Sequence, residues 1–184
     1  MYRLYVFFLI RQKRNNEAFD IFEKSKARNL ADILHDGDQI KAVQTVIADS
    51  SLVMEFFLHS EQSYVFVKSA KELKVVPIGK KELIDKLVID YLTQIKQKKK
   101  DRNAFLKLSG KLYHEVWEPL EKEVRSSRGL ILIPDGCLYY LPFESLFDGQ
   151  KFITERYELS YAPSALIAQT MRASEQDRDT ANYI

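Results

Sequence analysis

Leu130-Ile131-Leu132-Ile133-Pro134-Asp135-Gly136 is a short, continuous apolar run that stops abruptly. Four consecutive branched apolar residues suit a strand covered on both faces, and Pro-Asp-Gly turns the chain at its end. Upstream, Lys80 to Lys100 has helical period, with Leu83, Leu87, Tyr91 and Ile95 spaced by four, and Phe105 to Val124 reads as a second long helix. Helices leading to a buried strand with a sharp turn at its C-terminal end predict an α/β fold with a mainly parallel sheet. Downstream, the loop Cys137 to Glu144 is apolar enough to fold back on the core. Phe152-Ile153-Thr154-Glu155 and Tyr157-Glu158-Leu159-Ser160-Tyr161 are two further strand candidates. Ser164 suits the cap of a last helix through Met171, and the chain is polar from Ser174.

Further upstream, Leu52 to Leu58, Tyr64 to Val67 and Leu73 to Ile78 are three β-rich runs separated by polar turns, which predicts an antiparallel meander. Pro77 lacks a ladder donor and belongs at a strand end or edge. A short helical segment is expected near Ile40 to Ile47. Before it, Met1 to Lys13 reads as a helix apolar around most of its surface, and Asn15-Asn16-Glu17 as the turn and cap of a second. Ala18, Phe19, Phe22, Ala27, Leu30, Ile33 and Leu34 make an apolar stripe on that second helix, with Asp20, Glu23, Lys24, Lys26 and Arg28 on its other face. His35-Asp36-Gly37-Asp38 ends it. Such a hairpin cannot cover its own apolar face and must pack on the following domain or on further helical pairs. Leu4 to Ile10 is apolar between basic residues, but a bilayer span needs about 20 apolar residues and a signal peptide runs into a small-residue cleavage site, so a soluble helix is expected.

Composition narrows the function classes. The 184 residues are 46% hydrophobic and 29% charged, enough for the core of one ordinary domain. Lys+Arg 28 against Asp+Glu 26 nearly cancels, so no nucleic acid or anionic membrane is called for by overall charge. One cysteine, Cys137, excludes an intrachain disulfide framework and a cysteine-based metal cluster, and fits a reducing cytoplasm. There is no phosphate-cradling glycine loop, no Gly-x-Ser-x-Gly elbow and no His-Glu-x-x-His pair.

The segment from Leu130 to Gly136, then Leu138, Leu141-Pro142-Phe143-Glu144-Ser145-Leu146 and Tyr157 to Ser164, resembles the first half of a CHAT domain. CHAT domains are caspase-like cysteine peptidase modules, commonly joined to tetratricopeptide (TPR) repeats. Glu23 to Arg28 with Leu30 is similar to the helix that links such repeats to the module, and the Glu55 to Ile78 meander to its opening strands; the resemblance covers about residues 20 to 172. It implies an incomplete caspase-like sheet flanked by helices, with a TPR-like N-terminal hairpin: 1–38 hairpin and linker helix, 39–173 the N-terminal portion of the module, 174–184 a polar tail. It also implies a His-Cys dyad, the imidazole taking the thiol proton so that a thiolate attacks the scissile carbonyl, placed C-terminal to the matched segment and beyond Ile184.

Catalytic residues are therefore expected to be absent from this chain, along with cofactor and metal sites. His35, His59 and His114 fall in a helix terminus, a hairpin turn and a long helix, outside the His-Gly context of the catalytic position. Cys137 paired with His114 or His59 is the dyad to weigh, against a small apolar residue in a loop, which is the favoured reading. Lys96, Lys98, Lys99, Lys100 and Arg102 are read as a solvated helix end rather than a phosphate site. Asp135 and Glu144 are read as a turn residue and a loop anchor rather than an acid–base pair. Trp117, Tyr113 and Leu120 are core residues on one helical face. The expected function is a scaffold or regulatory portion of a CHAT-type cysteine protease, not proteolytic by itself. The alternative is a catalytically empty protein-interaction module. Expected partners are proteins or a peptide substrate engaged through TPR repeats, and the remaining CHAT half on the same full-length chain; no membrane is expected, and nucleic acid is disfavoured.

Overall fold

A computed structural model describes residues 2–34, 51–97 and 101–165. The expected helix at Ile40–Ile47, the stop at His35–Asp38, the lysines at 98–100, the body of the helix beyond Ala165 and the polar tail lie outside the described residues. The elements are α1 (Tyr2–Arg11), α2 (Asn15–Leu34), β1 (Ser51–Phe57), β2 (Ser63–Lys68), β3 (Leu73–Ile78), α3 (Lys81–Lys96), α4 (Arg102–Leu112), α5 (Glu121–Val124), β4 (Gly129–Ile133) and β5 (Glu158–Tyr161).

The strands form one sheet in the order β3-β2-β1-β4-β5. β1, β2 and β3 pair antiparallel, which is the meander, whereas β4 pairs parallel with β1 and β5 parallel with β4. The mainly parallel sheet expected from the Leu130 run is thus a mixed α/β sheet: two tight turns join β1 to β3, and the long α3–α4 excursion brings β4 back alongside β1 in the same direction. Pro77 lies on β3, an outer strand among the described residues, where its missing N–H disturbs no ladder.

Period-two alternation divides the side chains between two faces. Met54, Phe56, Val65, Val67, Leu130 and Leu132 meet Ile84, Val88, Tyr91, Leu112 and Trp117 of the helical layer. Val53, Phe57, Phe66, Ile131 and Ile133 meet Val6, Leu9, Phe19 and Phe22 of α1 and α2. The N-terminal hairpin therefore covers one face of the sheet. Its outer side is not covered among the described residues: Tyr2, Leu4, Tyr5 and Phe8 of α1 are all exposed.

Two expected elements differ. Phe105–Val124 is not one helix: α4 gives way to a π-helical turn at Tyr113–Trp117, a 3₁₀ turn at Glu118–Leu120 and the single turn of α5. Pro119 explains this, because its ring clashes with the carbonyl of Glu115 and it offers no N–H in return. The freed Glu115 carbonyl accepts instead from Gly79 N–H at 2.8 Å. A Cβ on Gly79 would sit 3.1 Å from Glu115 Cβ and 3.2 Å from its carbonyl oxygen, tight enough that the neighbour would have to give, so glycine eases this approach. Phe152–Glu155 is not a strand: one bridge joins Phe152 to Phe147, and Ile153–Glu155 is a 3₁₀ turn. Among the described residues no helix is long and apolar enough to cross a membrane.

Candidate functional site

In open α/β sheets, chemistry collects beyond the carboxyl ends of parallel strands where the strand order reverses. Here that place is the ends of β1 and β4. β1 is the switch point, with the meander on one side and the parallel strands on the other. Beyond β1 come Leu58 and His59, and beyond β4 come Pro134, Asp135 and the 3₁₀ turn Gly136–Tyr140.

Asp135 is buried and its carboxylate joins three elements. It accepts from Leu58 N–H at 2.8 Å and from both terminal nitrogens of Arg3, at 2.5 and 3.2 Å. Arg3 also donates to the Leu58 carbonyl at 2.5 Å, and its guanidinium lies over the Phe57 ring, 4.9 Å from the centroid. The expected turn role was too narrow: Asp135 caps the end of β1 and anchors α1, while its own backbone carbonyl accepts from Leu138 N–H. Gly136 follows at φ 56°, the left-handed conformation that lets the chain bend back.

His59 is buried, stacked on Phe7 with ring centroids 4.1 Å apart, and its Nδ1 accepts from Glu61 N–H at 3.3 Å. Burial pushes its pKa down, aided by Arg3 and opposed by Glu61 and Glu82. The ring is thus held neutral. His114 is exposed and pairs with Glu118 one turn on.

Cys137 is half-buried in the loop that folds back through Leu138, Leu141, Phe143 and Leu146. Its pKa is pushed up to about 12, first by burial and then by the hydrogen bond to the Asp85 carboxylate, against the opposing charge of Lys81. Burial pushes the Asp85 carboxyl up as well, but the hydrogen bonds from Cys137 and Lys81 outweigh it and the net direction is down. Burial and the nearby carboxylate thus favour the protonated thiol, and no bond joins it to His59 or His114 among the described residues. An activated cysteine needs the reverse, a cationic or imidazole neighbour that stabilises thiolate. Glu144 does anchor the loop, accepting from Tyr161 Oη at 2.9 Å. It makes no contact with Asp135 among the described residues, and the Asp135 carboxylate is occupied by Arg3 and Leu58 N–H. Trp117 and Leu120 are fully buried, while Tyr113 is partly buried and donates to Glu121 at 2.8 Å. Among the described residues no group of three His, Cys, Asp or Glu side chains has metal-site geometry.

The 3₁₀ loops and buried strand of this region lie inside the stretch that compares with a known family. Residues 106–183 match the CHAT domain family model. The CHAT match spans less than half of the chain and contains Pro134-Asp135-Gly136 and Leu141-Pro142-Phe143-Glu144, the residues that carried the resemblance. No curated protein matches the chain.

Sequence reasoning missed one group on the opposite side of the strand end. Glu55, in the middle of β1, is wholly buried on the face covered by α2, and Lys26 Nζ lies 2.8 Å from its Oε1. Lys26 and Glu23 therefore turn toward the sheet, not onto the polar face expected of them; the Lys26 ammonium also sits over the Phe22 ring. Burial pushes the Glu55 pKa up to about 8; Lys26 opposes this and Glu23 adds to it. The signal was available as the lone charge in Leu52-Val53-Met54-Glu55-Phe56-Phe57-Leu58.

Proposed function

We propose that this chain is the scaffold and regulatory portion of a caspase-like CHAT cysteine peptidase of the cytoplasm, and that it does not cleave peptides by itself. The observation that carries the reading is the environment of Cys137. With its pKa pushed up to about 12 the thiol stays protonated near neutral pH, and the charged groups beside it are the Asp85 carboxylate and Lys81, with no imidazole to take its proton and pass it to a leaving amine. On this reading the His-Cys dyad belongs to later parallel strands, added beyond β5. The Arg3–Asp135 contact would report the position of the N-terminal hairpin to the strand ends where that dyad works.

The test is cleavage of a fluorogenic peptide panel by the purified 184-residue chain, with Cys137→Ser as control. No turnover is expected. Turnover that disappears in Cys137→Ser would overturn the reading.

A second reading, a protein-interaction module, is favoured by the exposed face of α1. A helix apolar all round is normally covered, and Tyr2, Leu4, Tyr5 and Phe8 would accept a further helical pair, as in a TPR stack. The two readings part on whether any longer form of the protein cleaves peptides.

A further inference from the structure

The seam between α3 and α4 opens on one side into a groove of about 600 Å³. This lies within the range of pockets that hold ligand groups. Its floor is apolar, from Leu83, which is 41% exposed, Leu87 and Leu108. Its rim is basic. Lys86 rises from α3, and Lys107 and Lys111 from α4, all exposed, and none makes an ion pair or hydrogen bond among the described residues. Lys107 and Lys111 stand one turn apart, where like charges repel each other. Asp90 and Glu115 also line the groove, but Glu115 lies against Gly79, and His114 is already matched by Glu118.

Gly110 supplies an independent observation. Glycine inside a helix is less favourable than alanine. Here packing does not demand it: a Cβ would meet only the Phe147 carbonyl oxygen, at an ordinary 3.6 Å. Its effect is to leave the wall of the groove open to close approach. The π-helical turn at Tyr113–Trp117 begins directly after α4, and such turns are frequent at functional sites.

We propose that this groove docks an acidic, apolar-faced peptide segment of a partner protein, seating aliphatic side chains on Leu83, Leu87 and Leu108 and its carboxylates against Lys86, Lys107 and Lys111. The mode is helix-in-groove recognition, in which apolar anchors one turn apart give affinity and flanking charges set orientation. None of these residues belongs to the strand-end cluster, so the proposal stands apart from the peptidase reading.

The test begins with selection from a display library of random helical peptides on the immobilised 184-residue chain. Enrichment of sequences with Leu, Ile or Phe one turn apart and Asp or Glu beside them is expected. The leading peptide, labelled with fluorescein, is then titrated by polarisation. The triple variant Lys86→Glu, Lys107→Glu, Lys111→Glu should weaken binding at least about tenfold, and raising salt from about 50 to about 500 mM should weaken wild-type binding. Gly110→Leu adds bulk at a groove-lining position without removing any charge and should weaken binding by a similar factor, with a melting temperature no lower than wild type's showing that the fold is intact. Absence of acidic–apolar enrichment overturns the proposal, as does affinity unchanged in both variants. A single-stranded oligonucleotide that binds through the same three lysines and displaces the peptide also overturns it, since the cations would then serve phosphate.

Discussion

Replacing Glu55 with glutamine tests how the sheet and the N-terminal hairpin are held together. Glu55 is on the central strand, fully buried, and faces Lys26 and Glu23 of α2. Two effects oppose each other there: attraction to an ammonium 2.8 Å away and the loss of water around a charge. Burial wins, and the carboxyl titrates at about 8 instead of near 4.5. A pKa raised in the fold means that the protonated form is the one the fold prefers. The contribution is fully present below pH 4.5, where both states are protonated, and is lost as pH rises through 8. At about 1.36 kcal/mol per tenfold change in proton affinity, wild-type stability falls with a slope of about 1.36 kcal/mol per pH over that window, about 5 kcal/mol in all. Glutamine imitates the protonated carboxyl and cannot ionise. Glu55→Gln should therefore match wild type near pH 4.5 and exceed it by about 2–5 kcal/mol near pH 9, the lower figure allowing for water entering around the ionised wild-type pair. Urea denaturation followed by tryptophan fluorescence at several pH values measures both curves, and their difference removes every other titrating group. Parallel curves would refute the reasoning. So would a variant weaker than wild type at pH 9, which would mean that the ionised Lys26–Glu55 pair is a net stabiliser.

Other expectations follow from neighbouring contacts. Arg3→Gln removes charge-assisted hydrogen bonds to Asp135 and Leu58; with Arg3 half-exposed the loss should be about 1–2 kcal/mol, and amide exchange of Leu58 should quicken more than that of the helices. Cys137 should alkylate slowly with iodoacetamide at pH 7.5, and its rate should still be climbing at pH 10, because burial and the Asp85 charge push its pKa up to about 12; a plateau below pH 9 would contradict this. Gly79→Ala forces its methyl against the Glu115 side chain and carbonyl, and should lower stability by about 1–3 kcal/mol in chemical denaturation, whereas Gly110→Ala should be neutral or stabilising.

The strands of the meander, the buried strand after Gly129 and the apolar loop behind Pro-Asp-Gly were legible because each is a local pattern of period or turn chemistry. What escaped were partnerships between distant segments. Asp135 reads locally as a turn former, and only the fold brings Leu58 N–H and Arg3 to its carboxylate. Lys26 sits between polar neighbours on a helical wheel, yet Glu55 draws it inward. The apolar spacing from Phe105 to Val124 suits a single helix, and Pro119 interrupts it through a clash one turn back that a hydrophobic pattern does not register. Phe152–Glu155 has strand-forming residues but no neighbouring strand to pair with beyond one bridge. The strand-end cluster was half legible: its turn and its cysteine stood out, but Asp85, the carboxylate that helps raise the thiol's pKa, lies on another element.

The placement of the N-terminal hairpin has a consequence for how the chain is made. α1 and α2 leave the ribosome before β1 to β5, and a helix as short as α1 is marginal on its own in water. Arg3 and Asp135 are separated by 132 residues, so at about 5–20 residues per second its partner follows roughly 7–26 s later. Early in that interval Val6, Phe7, Leu9 and Ile10 have no sheet to cover; Val53, Phe57 and Phe66 of the meander then offer part of that face. β4 then adds Ile131 and Ile133 beside them, so the face that receives the hairpin is finished well after the hairpin itself has been made.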